Sequence, residues 1–156
     1  MQPESNEGRG RLETTARKRL PIKNRLSTRF GRKSRGQNPS GQGDGGADPL
    51  LLDLVRLRVA QIHQCPISIA LHLEDLQASG ESQRRLDHLE NWGASPLFDN
   101  GERAALALCE KITLDPARPL PDYLIREMRH YFTKEAIVSL TLTIIAVNDW
   151  NLLGCP

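Results

Sequence analysis

From Asp48 onward, apolar residues return at the three-and-four spacing of an α-helix, and no segment alternates with the period of a strand. Asp48-Pro49 reads as an N-cap followed by proline at the first helical position. The stripe Leu51, Leu54, Val55, Val59 and Ile62 predicts a helix that stops at Gln64-Cys65-Pro66. Pro66 disfavours helical backbone at Cys65 but suits a new first turn, so a second helix is expected from Pro66 to about Ala78, closed by Gly80. Ser82 caps a third, running from Gln83 to about Trp92. Asp99 and Glu102 have capping-box spacing and open a fourth helix through Ile112. The three prolines between Asp115 and Pro121 demand a loop. A fifth helix starts at Pro121-Asp122 and reaches about Tyr131, and Thr133 caps a sixth from Lys134 to about Leu153. That last helix is apolar nearly all round, which suits either the centre of the domain or a subunit interface. The expectation is an all-α bundle of about six helices over residues 48–156.

Residues 1–47 are of another kind. They hold eleven Lys/Arg against four Asp/Glu, a net of +7, whereas the remainder carries −5, so the overall +2 describes neither part. Few large apolar residues are present, and the run from Arg35 to Asp48 is Gly-rich and otherwise mostly polar, so a disordered basic tail and linker are expected. A single aromatic, Phe30, stands among its charges, so nucleic acid is not the expected partner. The tail lacks the apolar core of a secretory signal, and no stretch reaches the ~18 apolar residues expected of a membrane span. Three unevenly spaced cysteines do not make a disulfide framework. A cytoplasmic protein without membrane contact is expected.

The chemistry concentrates at Cys65-Pro-Ile-Ser68-Ile-Ala-Leu-His72. A thiol at a helix N-cap gains from the free N–H groups and the dipole of that helix end, which favour the thiolate. An ordinary buried cysteine is the alternative. His72 is ~10.5 Å along the helix from Cys65, too far for a direct bond, but it is an i,i+4 neighbour of Ser68 and can meet it. Asp53 sits inside an apolar run one helix earlier, either solvated on the outer face or aimed at a partner such as a histidine, with pairing to Arg56 or Arg58 as the further alternative. Cys109 falls in a helix interior as a packing residue, and Cys155 lies at the C-terminus, where approach to Cys65 is open but not required. A zinc site from His63, Cys65 and His72 lacks a fourth ligand, so no metal and no cofactor is expected.

These residues carry a resemblance. The segment Asp53 to Cys65, with Ser68 and His72, resembles the signature of the carboxymuconolactone decarboxylase superfamily, specifically its alkylhydroperoxidase D (AhpD)-like branch, which reads Glu-x(11)-Cys-x-x-Cys-x-x-x-His. The likeness continues through Ala78–Glu81, Trp92–Phe98, Glu102–Leu108, Tyr131–Thr133 and Asn148–Asn151. It implies an all-α fold, assembly as a homo-oligomer (trimer or hexamer), and a thiol peroxidase or antioxidant oxidoreductase that uses a hydroperoxide and an external thiol reductant. Cys65 matches the first cysteine, His72 the histidine, and Asp53 the acid, one methylene short. Ser68 stands where the second cysteine belongs, so a disulfide cycle through 65 and 68 is chemically impossible, and a sulfenic acid on Cys65 needs another thiol. The alternatives are a catalytically degenerate member that keeps only the fold and oligomer, and a decarboxylase-type lyase using His72 as acid or base.

Overall fold

The structure, a computed structural model, describes residues 46–155; the basic tail lies outside the described residues. Six α-helices follow in order: α1 Pro49–Ile62, α2 Pro66–Ala78, α3 Gln83–Asp87, α4 Asn100–Leu114, α5 Asp122–Tyr131 and α6 Lys134–Gly154. No strand occurs among the described residues. The all-α expectation holds, and so do the caps read from sequence. Asp48 accepts from Leu50 N–H, Ser82 from Arg85 N–H and Thr133 from Ala136 N–H, and Asp99 with Glu102 forms a reciprocal capping box. One helix differs from expectation. The segment expected to run from Gln83 to Trp92 breaks at His88 and continues as a 3-10 turn, Leu89–Asn91. The tighter turn buries Leu89 completely and delivers Trp92 Nε1 to Glu110 Oε1 at 2.8 Å, where Arg58 also binds.

Helix α1 is the axis of the bundle, because its side chains enter two cores. Leu51, Val55 and Val59 pack with Leu108 of α4, Met128 of α5, and Leu140 and Ile144 of α6. Leu54 and Leu57 face the other way, onto Leu76 of α2, Leu86, Leu89, Phe98 and Leu106. Each fully buried leucine contributes roughly 1.5–3 kcal/mol relative to exposure. The apolar last helix is therefore not the central one. Its stripe Ala136, Leu140, Ile144, Val147 and Asn151 is buried, while Val138, Leu142, Ile145 and Leu152 are exposed at helical spacing on the outer side. The 21 residues of α6, at a mean hydropathy of 1.5, do reach the length and composition of a membrane span, contrary to the expectation from sequence. A span leaves no polar group unsatisfied in lipid; here the buried stripe packs into the bundle, and Asn148 and Asn151 bond His63, just after α1, and Ser68 of α2.

The junction between α1 and α2 positions everything that follows. Helix α1 ends in a Schellman turn: Cys65 N–H bonds Ala60 C=O and Gln64 N–H bonds Gln61 C=O. This geometry requires a left-handed residue, and Gln64 takes it at φ 52°. The same turn closes α2, where Glu81 N–H bonds Leu76 C=O and glycine, Gly80 at φ 86°, occupies the left-handed position. A side chain there costs roughly 1–2 kcal/mol, partly offset by the greater unfolded-state entropy of glycine. Gln64→Gly is expected to raise stability by about 0.5–1 kcal/mol, read as a higher denaturant midpoint at unchanged m-value.

Candidate functional site around Cys65

Cys65 leaves the Schellman turn in extended conformation, at φ −89° and ψ 102°, and is the N-cap of α2. Pro66 restarts the helix with no N–H to satisfy. No side chain caps this helix end, so the first-turn amides point toward the cysteine without a competing carboxylate or hydroxyl cap. The thiol position is 1% exposed.

One side chain and a second sulfur meet it, and a second side chain stands behind the first. Ser68 Oγ, itself buried, lies 3.3 Å from Cys65 Sγ. Ser68 donates its hydroxyl proton to Asn151 Oδ1 of α6 at 2.6 Å. Four residues further along α6, just past its end, Cys155 is joined to Cys65 in a disulfide with a Cα–Cα distance of 5.7 Å. A third contact braces the junction from the other side: His63 Nε2 meets Asn148 Oδ1 at 2.7 Å, and Asn148 Nδ2 bonds Thr113 on α4. Asn148, Asn151 and Cys155 recur at spacings of three and four, so one stripe of α6 reads the whole α1–α2 corner.

The acid and histidine are placed differently. Asp53 is ion-paired on its own helix with Arg56, three residues on. His72 is half-buried on α2; burial, and then the Arg56 guanidinium, lower its pKa below 6.5, while Asp75 and Asp53 pull the other way. The imidazole is therefore neutral at pH 7 and able to accept a proton. The hydroxyl of Ser68 is directed to Asn151, not to His72. Cys109 is fully buried in the main core, and burial pushes its thiol up to about 12, so it packs and does not react. Among the described residues no three His, Cys, Asp or Glu side chains gather as a metal site, and His63 is engaged by Asn148. Two open surface depressions of about 360 and 380 Å³ share Trp92 on their walls, and neither reaches Cys65.

A family profile described as the carboxymuconolactone decarboxylase family matches residues 39–111. The uncharacterized protein YdfG of Bacillus subtilis is 35% identical over 102 residues, covering 65% of this chain and 69% of that one. The chain belongs to the carboxymuconolactone decarboxylase family. Other family-sized matches are the uncharacterized Escherichia coli protein YnjA, 29% identical over 62% of this chain and 53% of its own, and the uncharacterized Mycobacterium tuberculosis protein Rv2313c, 31% identical over 63% of this chain but only 34% of its own length. Among solved structures, a protein of unknown function from Agrobacterium tumefaciens, proposed to be an antioxidant defence protein AhpD, superposes with a TM-score of 0.66 at 28% identity, over 69% of this chain and 74% of that one. This carboxymuconolactone decarboxylase family chain thus falls in the AhpD-like branch, with serine at the second motif position.

Sequence reasoning left Asn148 and Asn151 without a role. Their signal was available: two amides interrupting the buried stripe of an otherwise apolar helix need partners. For His72 the sign of the pH effect follows from its lowered pKa. The unfolded chain binds the proton first as pH falls through about 6.5, so folding stability declines there and continues to decline until the folded-state pKa is passed. His72→Gln is expected to flatten this part of the stability–pH curve; thermal midpoints of both proteins between pH 7.5 and 5 provide the measurement.

Proposed function

We propose that this chain is a thiol-dependent hydroperoxide reductase in which Cys65 is the oxidised sulfur. The observation that carries the reading is the Cys65–Cys155 disulfide: the sulfur at the α2 entrance has a redox partner although Ser68 occupies the motif's second position. A Cys65 thiolate, favoured by the helix end, attacks the terminal oxygen of the hydroperoxide. The S–O bond forms as the O–O bond breaks, leaving Cys65 sulfenic acid and an alkoxide that takes a proton to become the alcohol. Neutral His72 is a base on the same helix, its pKa lowered by burial and by Arg56 with Asp75 and Asp53 opposing. Support also comes from the likeness to the Agrobacterium protein.

The reduced full-length chain is expected to consume cumene hydroperoxide at least about tenfold faster than free cysteine, as an activated thiolate does. Cys65→Ser removes that rate and Cys109→Ser leaves it. Equal consumption by the parent and Cys65→Ser would instead favour a member that keeps the fold without the catalysis.

We further propose that the apolar stripe Val138, Leu142, Ile145 and Leu152 seats a second copy of the chain, since about half of each of these side chains or more stays exposed. Light scattering should give an oligomer for the parent and a smaller species for Leu142→Glu; identical masses would reject this interface.

A further inference from the structure

The disulfide is asymmetric, and the asymmetry assigns the two sulfurs different work. Cys65 is 1% exposed, under the start of α2. Cys155 is partly exposed in non-helical backbone after α6, and the residues before it, Leu152, Leu153 and Gly154, are all exposed. Thiol–disulfide exchange needs the attacking thiolate to reach one sulfur in line with the bond, and it runs faster when the departing sulfur is the better-stabilised thiolate. Access and leaving-group stability here select the same direction.

We infer that Cys155 is the resolving cysteine and the sulfur through which an external thiol reductant enters, while Cys65 is the leaving group. This rests on the reading of Cys65 as the oxidised sulfur. In the oxidative half, Cys155 thiol attacks the Cys65 sulfenic acid; the S–S bond forms and water leaves with the hydroxyl of the sulfenic acid and the thiol proton. In the reductive half, one sulfur of a dithiol donor attacks Cys155 Sγ, and Cys65 departs as thiolate. The donor's second thiolate then attacks its own sulfur in the mixed disulfide, which frees Cys155 and leaves the donor oxidised. The sum is one hydroperoxide and one dithiol converted to alcohol, water and a donor disulfide.

The buried network around Cys65 is suited to receive the thiolate. Asn151 Nδ2 is buried and has no hydrogen-bond partner among the described residues, while Asn151 Oδ1 holds the Ser68 proton. Turning the terminal amide over presents Nδ2 to Ser68 Oγ and frees the Ser68 proton for Cys65 Sγ, 3.3 Å away. In that arrangement Nδ2 gains an acceptor in Ser68 Oγ, and Oδ1 gives up the Ser68 proton to a Cys65 thiolate. Ser68, which ended the motif dithiol, becomes a hydrogen-bond donor to the sulfur that remains. Asn151 is a positioning residue in this scheme.

The test maps the sulfur that a reductant attacks. The full chain is oxidised with diamide, which does not depend on peroxide chemistry, then given a limiting monothiol, glutathione, and the freed thiol is blocked with N-ethylmaleimide. Mass mapping is expected to place glutathione on Cys155 and the maleimide on Cys65, by at least about tenfold over the reverse. In Asn151→Leu, the pH midpoint for alkylation of reduced Cys65 is expected to rise, a shift that loss of packing alone does not dictate. Glutathione on Cys65, or a diamide-treated chain without a 65–155 link, overturns the inference. In a separate arm, Cys155→Ser treated with hydrogen peroxide should accumulate a Cys65 sulfenate trapped by dimedone. Failure of that arm with correct glutathione placement on Cys155 rejects the peroxide reading and retains the assignment of Cys155 as the entry sulfur.

Discussion

Helix α6 lays one stripe of side chains across the corner where α1 stops and α2 begins, and the site exists because of that contact. Asn148 takes His63 at the end of α1, Asn151 takes Ser68 in the first turn of α2, and Cys155 takes Cys65 between them. The corner itself is held by backbone, through the Schellman turn whose left-handed residue is Gln64. Hydrophobic packing of Leu140, Ile144 and Val147 on α1 supplies the register. The covalent link spans 90 residues of sequence, so in the chain-entropy account it removes about 4–5 kcal/mol worth of unfolded-state freedom. Oxidation state and the docking of the C-terminal turn are therefore coupled.

This contact changes what the serine substitution means. In a dithiol motif both sulfurs lie on one helix turn and exchange locally. Here the hydroxyl at position 68 is buried beside Cys65 and serves as a link between α6 and the surviving sulfur. The second sulfur arrives from the far end of the chain. Cys155 stands in non-helical backbone after α6, whereas position 68 lies inside α2. In the disulfide-linked state Cys65 is buried.

The helices were legible because their ends are chemically marked. Asp48-Pro49, the Asp99/Glu102 box and Thr133 each cap the helix their residue types announce. The break at His88 was not marked, since it follows from where Leu89 and Trp92 must go in the folded bundle. Cys65 at a helix start was readable from Pro66 alone. The pairing of Asp53 with Arg56, and of Ser68 with Asn151, was not, because helical spacing leaves several partners within reach and tertiary packing chooses. Cys155 was the least legible residue, since nothing in a C-terminal pentapeptide states which face of the domain α6 has crossed.

The most direct measurement is a thiol count on the reduced full-length chain after one equivalent of hydroperoxide, with the linked peptides identified by mass. The account predicts a fall from the three cysteine thiols of the sequence to one, the survivor being Cys109, with Cys65 and Cys155 recovered as a single disulfide-linked peptide within monomeric chains. Two thiols remaining, with the loss confined to an oxidised Cys65 and Cys155 still free, would contradict it.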